Sequence, residues 1–137
     1  MHFIENSLDV GIYTDLRKSV GWTNCSEIQV ELLITRSDYT IVAYDEGTPI
    51  AMGRIHGDGM YYMINDVIVR PEYQRKGIGT EIMNRLIQFI KTHMDIGYRV
   101  SINLNSEVGK EQFYEKFGFR TLPHEYCGSG MRKVIKL

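Results

Sequence analysis

The sequence predicts an α+β fold built on a mixed sheet. Three observations lead there. Helix-like and strand-like runs do not alternate in the regular βαβα order of a doubly wound sheet. Two turn signals, Asp45-Glu46-Gly47-Thr48 and Gly57-Asp58-Gly59, join strand-like runs into hairpins in the first half. One long amphipathic helix then separates those hairpins from the strands that follow. The resulting order is β-α-α-β-β-β-α-β-α-β-β.

Each element has a local reason. His2 to Asn6 reads as a short first strand. Asp9 caps a helix running to about Ser19, with Ile12, Leu16 and Val20 at fourfold spacing. Ser26 caps a second short helix whose apolar residues are Ile28, Val30, Leu32 and Leu33. Tyr39 to Tyr44 and Pro49 to His56 form the first hairpin. Met60 to Val69 is a longer strand ending in the β-branched run Val67-Ile68-Val69. A helix then runs to about His93. Ile78, Ile82, Leu86, Phe89 and Ile90 share one of its faces, and Glu81 and Arg85 form an i,i+4 pair on the other. Tyr98 to Leu104 is a strand, and Val108 to Phe117 is a short helix stopped by Gly118. Phe119 to Leu122 and Gly130 to Ile135 are expected to be the last two strands.

The chain has 137 residues, 43% apolar and 24% charged, which fits one globular domain over residues 1–137. No apolar run approaches the ~20 residues of a membrane helix. Met1 to Val10 lacks the basic start of a signal peptide. Cys25 and Cys127 form no disulfide framework and no Cys-x-x-Cys motif, so reduced thiols and a cytoplasmic location are expected. The four histidines lie far apart without metal-ligand spacing, and no metal is expected. No basic block marks a nucleic-acid footprint. The net charge of −1 hides an asymmetry. Residues 1–69 hold four Lys/Arg against ten Asp/Glu, whereas residues 70–137 hold twelve against seven. The basic half is suited to an anionic ligand and the acidic half to a cationic one, unless folding interleaves them.

Gly77-Ile78-Gly79 opens a helix after a strand and a turn. A helix start leaves backbone N–H groups unpaired and carries a partial positive charge. Glycines let a phosphate approach that backbone closely, and Arg70, Arg75 and Lys76 add side-chain charge. The loop is thus suited to a di- or polyphosphate, or else is a plain structural turn. It is not an ATP-type loop, for no Gly-x4-Gly-Lys-Ser/Thr string exists here. It is not a dinucleotide fingerprint either, because Ile82 stands at the third glycine position.

Gln74-Arg75-Lys76-Gly77-Ile78-Gly79 matches the pattern Gln/Arg-x-x-Gly-x-Gly, and Val69-Arg70-Pro71 precedes it. Downstream stands Phe113-Tyr114-Glu115-Lys116-Phe117-Gly118-Phe119. With these two motifs and the element order, nearly the whole chain resembles the GCN5-related N-acetyltransferase (GNAT) superfamily, in a small single-domain branch. That resemblance implies a central mixed, mostly antiparallel sheet of about six or seven strands with about four helices. It also implies a splay between the strands around 60–69 and 98–104.

The resemblance further implies acetyl-coenzyme A as cosubstrate. Its pyrophosphate would sit on the backbone of Arg75, Lys76, Gly77, Ile78, Gly79 and Thr80, with Gln74 as the motif's first residue. Its pantetheine arm would pair with Ile68 and Val69. Tyr114 matches the position that protonates the departing thiolate; otherwise it is an amphipathic aromatic packed under the sheet. An Asn often stands seven residues before that Tyr. Here the position is Glu107, so Asn105 is the nearest assignment for the cofactor contact.

The remaining site residues combine position along the chain with what the resemblance implies about the acceptor side. Asp66 interrupts an apolar strand on the face of Ile64 and Ile68. It is expected to act as general base or amine anchor, or to be satisfied at a bulge. Met63 occupies the place of the histone-type catalytic Glu, so that mechanism is not supported. Trp22, between the first two helices, either walls an acceptor pocket or plugs the core. Arg54 and His56 alternate along one strand and line the same cleft, unless that face is simply solvated.

The expected function is acetyl transfer to a primary amine of a small molecule in a ternary complex. The alternatives are a protein or peptide amine as acceptor, or a non-catalytic acyl-coenzyme A-binding module. The resemblance leaves a homodimer open.

Overall fold

The computed structural model describes residues 1–137. In order, its elements are β1 (His2–Glu5), α1 (Val10–Ser19), α2 (Glu27–Thr35), β2 (Tyr39–Asp45), β3 (Thr48–Gly57), β4 (Tyr61–Val69), α3 (Ile78–Thr92), β5 (Ser101–Asn103) and α4 (Glu111–Glu115). A 3₁₀ turn, Pro71–Tyr73, joins β4 to the loop before α3. Packing divides the chain into two units, Met1–Leu104 and Asn105–Leu137. No helix is long and apolar enough to cross a membrane.

The first unit holds one five-stranded sheet in the order β1-β2-β3-β4-β5. The first four strands pair antiparallel, and β5 joins β4 in parallel. The expected α+β, mostly antiparallel sheet is therefore present, with five strands. Side chains of β2 and β3 fill the middle: Ile41, Val42, Ala43, Ile50, Ala51, Met52 and Ile55 are wholly buried. On one face, Tyr13 and Leu16 of α1 and Val30 of α2 pack with Val42, Met52 and Ile68. α3 covers the other face with Ile82, Met83, Leu86 and Ile90. Gly53 permits that packing, since a methyl there would stand 2.6 Å from Ile82 Cγ2.

Helix starts follow their caps. Asp9 accepts from the Ile12 amide at 2.8 Å, and Ser26 and Gln29 form a capping box. The α2 face is a correction. Val30 is buried with Leu33 and Ile34 packed beside it, whereas Ile28 and Leu32 are exposed. Helical spacing of three and four selects Val30, Leu33 and Ile34 as one stripe and puts Ile28 and Leu32 elsewhere.

Three further boundaries differ from the sequence reading. The strand expected over Tyr98 to Leu104 shrinks to three residues, because Gly97 turns left-handed (φ 92°) and the Tyr98 amide closes a turn on Asp95. The helix expected over Val108 to Phe117 shrinks to Glu111–Glu115, between left-handed Gly109 and Gly118. Phe119 to Leu122 and Gly130 to Ile135 form no strands. The only pairing beyond α4 is the isolated bridge His124–Cys127. Met131, Val134 and Ile135 are exposed there, so the alternating pattern buries no face.

Candidate active site

The site grows from the two ends of β4. At its start, β4 pairs with β5 only through Tyr61–Ser101, Tyr62–Ile102 and Met63–Asn103. From Ile64 to Val69 it runs on with no strand on that side. The expected splay is thus explicit in the ladder, and it leaves a stretch of strand edge open.

Within that stretch lies a bulge. Asn65 opposes Arg54 and Ile68 opposes Met52, so Asp66 and Val67 together face Gly53. Asp66 takes a left-handed conformation (φ 55°), which costs a non-glycine residue roughly 1–2 kcal/mol. The bulge also changes the expected side-chain alternation. Ile64 pairs with Ile55 on the α3 face, whereas Asp66 turns to α1 with Ile68.

There Asp66 is tightly held. Its Oδ1 accepts from Arg17 Nη1 at 2.5 Å, and its Oδ2 accepts from Arg54 Nε at 2.8 Å and from the Tyr13 hydroxyl at 2.9 Å. Its side chain is 7% exposed. Arg17 is fixed further by Nε and Nη2, which both donate to the Thr23 carbonyl. Its guanidinium lies 5.2 Å from the Trp22 ring centre. Trp22 therefore packs on the α1–α2 core, one of its two expected roles, and carries the Arg17 guanidinium on its face. Arg54 Nη1 donates to Ser37 Oγ.

His56 stands two residues along β3 and shares a 2.9 Å hydrogen bond with the Asn65 side chain. Burial first, and then Arg54, hold its imidazole below the ordinary histidine range. Tyr13 is pushed up to about 12, first by burial and then by the Asp66 charge.

Tyr13 and Arg17 escaped the sequence reading. The available signal was a tyrosine and an arginine four apart on the stripe side of an amphipathic helix. The charge asymmetry also reads differently at close range. The first half is acidic in total, yet here two guanidiniums meet one carboxylate.

At the far end of β4 the chain enters the glycine loop. Gln74 Nε2 donates to the Val69 carbonyl at 2.9 Å, tying the loop to the strand. Arg75 is left-handed (φ 62°), as is Gly77 (φ 82°), and residues 74–77 are exposed. The amides of Arg75, Gly77, Ile78, Gly79 and Thr80 make no hydrogen bond within the protein, whereas the Lys76 amide closes the turn over Gln74 and Arg75. The first helical turn leaves three of them free by geometry, and the left-handed residues release the rest. Space above Gly77 is open. This donor set fits a pyrophosphate.

Of the basic side chains expected nearby, Arg75 and Lys76 are exposed, and Lys76 lies over the Tyr73 ring. Arg70 is a correction. It is spent on the Pro49 carbonyl at 2.8 Å and on Asp15, so it braces the fold.

In the second unit, Tyr114 sits in an aromatic group with Phe113 at 5.0 Å and Phe119 at 6.3 Å. Burial, and then the Glu107 charge, raise its hydroxyl above the ordinary tyrosine value, so it keeps its proton at neutral pH. Asn105 is exposed at the start of this unit. No cluster of three or more His, Cys, Asp or Glu is placed to hold a metal.

A mixed sheet splayed beside a glycine-opened helix is the architecture of the acyltransferase fold. The sequence profile of the acetyltransferase (GNAT) domain matches residues 36–121. GCN5-related N-acetyltransferase 1, chloroplastic, of Arabidopsis thaliana is 31% identical over 108 residues, covering 77% of this chain and 53% of its own. Serotonin N-acetyltransferase 2, chloroplastic, of Oryza sativa subsp. japonica is 30% identical over 127 residues, covering 88% and 61%. The chain thus spans under two thirds of the length of these curated relatives. The solved structure of a probable acetyltransferase from meticillin-resistant Staphylococcus aureus superimposes with a TM-score of 0.84 at 27% identity, over 98% of both chains. The chain belongs to the GNAT acetyltransferase family.

Proposed function

We propose that this chain moves an acetyl group from acetyl-coenzyme A to a primary amine of a small molecule, by direct attack while both are bound. One observation carries the reading. The open edge of β4, Ile64 to Val69, leads straight into a loop with four consecutive free amides, Gly77 to Thr80. A pantetheine arm on the strand edge and a pyrophosphate on the loop use both features at once.

Acetyl-coenzyme A supplies an activated thioester. The chain's residues do the rest. Backbone N–H groups at Gly77 to Thr80 bind the pyrophosphate, and Arg75 and Lys76 add charge. The bulge at Asp66 leaves strand-edge N–H groups to polarise the thioester carbonyl. The amine nitrogen forms its bond to the carbonyl carbon as the carbon–sulfur bond breaks.

Tyr114 gives its proton to the departing thiolate. Asp66, already accepting three hydrogen bonds, works in this reading as the anchor of Arg17 and Arg54 rather than as the base. His56, neutral at pH 7, takes the amine's proton at Nε2, whose lone pair the Asn65 Nδ2 donor gives up as the amine binds. Trp22 walls the acceptor side. Cys25 and Cys127 are free and exposed, and neither thiol is hydrogen-bonded to a base, which supports direct transfer. The small-molecule acceptor is supported by the relative named for serotonin.

A thiol-release assay with acetyl-coenzyme A and an amine panel tests the reading. Amine-dependent release is expected, and Tyr114→Phe should lower it roughly a hundredfold while coenzyme A still binds. Tight coenzyme binding without release for any amine would identify a binding module instead. Full release by Tyr114→Phe would remove Tyr114 from the chemistry.

A further inference from the structure

The three-way contact of Arg17, Asp66 and Arg54 leaves one donor unused. Two guanidiniums share one carboxylate on a largely buried face. Asp38, whose charge also acts on His56, accepts from the Gly57 amide at 2.7 Å and makes no hydrogen bond to Arg54. The Arg17 nitrogens are all engaged. Those of Arg54 are not. Its Nε and Nη1 are used, whereas Nη2 makes no hydrogen bond.

The Arg54 side chain is only 12% exposed, yet Nη2 is not among the fully buried polar atoms that lack a partner. It is therefore a solvent-reachable donor on an otherwise immobilised arginine. Asp66 pins that arginine beside the bulge on the open edge of β4.

A guanidinium fixed on one side and free on the other is pre-organised for an anion. The one free donor group, Nη2, matches a carboxylate oxygen. A phosphate monoester, carrying about −1.5 to −2 at pH 7, calls for more donors than this edge has left.

We propose that the amine acceptor carries a carboxylate, received by Nη2 of Arg54, so that the substrate class is amino acids or similar amino-carboxylates. This rests on the acetyltransferase reading above and narrows it. Asp66 and Arg17 are then positioning residues. Asp66 orients the Arg54 fork, and Arg17, stacked on Trp22, holds Asp66 in place.

Matched pairs that differ only in the carboxylate test the proposal: tryptophan with tryptamine, phenylalanine with phenethylamine, and ornithine with putrescine. Two readouts are taken on the full chain. One is kcat/KM with acetyl-coenzyme A; the other is calorimetric binding of each amine in the presence of coenzyme A. In at least one pair the amino acid should be preferred by roughly tenfold to a hundredfold, the value of one charge-assisted hydrogen bond. Arg54→Gln should collapse that ratio toward one, and Arg54→Lys should restore part of it.

Preference for the decarboxylated member in every pair overturns the proposal, as does a ratio that survives Arg54→Gln. If the amino acids bind in an Arg54-dependent way but are not acetylated, the acceptor inference stands and the activity reading fails.

Discussion

Tyr13 and Tyr39 are nearly solvent-free, and each donates its hydroxyl to a carboxylate, Asp66 and Glu5 respectively. Burial, followed by those carboxylates, pushes both up to about 12. The folded chain therefore holds two protons that the unfolded chain releases near pH 10. Stability from these groups is full below pH 10 and is lost as pH rises from 10 to 12. Urea unfolding at pH 9 and pH 11.5 should show a fall on the order of 1 kcal/mol per pH unit, and Tyr13→Phe should flatten part of it. Equal stability at the two pH values would contradict this. At the same scale, Asp66 shows how far a sequence can be read. Its anomaly, a carboxylate in an apolar strand, was visible. Its partners were not, because Arg17 lies 49 residues away and meets it only through tertiary packing.

The loop before α3 was legible as an element because its features are local. A glycine spacing, a turn and a helix start lie within a few residues of one another. Its free amides depend on Gly77 in a left-handed conformation at the N-cap. Gly77→Ala should strain that conformation and place a methyl over the amides. Coenzyme A affinity, measured by calorimetry, is expected to fall about tenfold or more; undiminished affinity would remove the loop from the binding site. The second half of β4 was legible as a strand but not as a bulged one, since bulge geometry depends on the partner register of β3. The two expected final strands do not form, for a related reason. Alternation over four to six residues specifies a strand only when an edge and a buried face await it.

At the scale of the molecule, the sheet order and the splay bring one strand edge and one phosphate-type loop into line. Both lie in the first unit, where the family resemblance expected the pantetheine arm and the pyrophosphate. The charge split did not carry over in the same way. The acidic half places two arginines on Asp66 at the bulge, so local pairing there differs from the summed charge. The central claim is direct acetyl transfer to an amine. Mass spectrometry after a single turnover, with the chain in excess over acetyl-coenzyme A and an amine present, tests it most directly. The predicted result is one acetylated amine per thiol released and an unmodified chain. An acetyl group retained on the chain, or thiol released without acetylated amine, would contradict it.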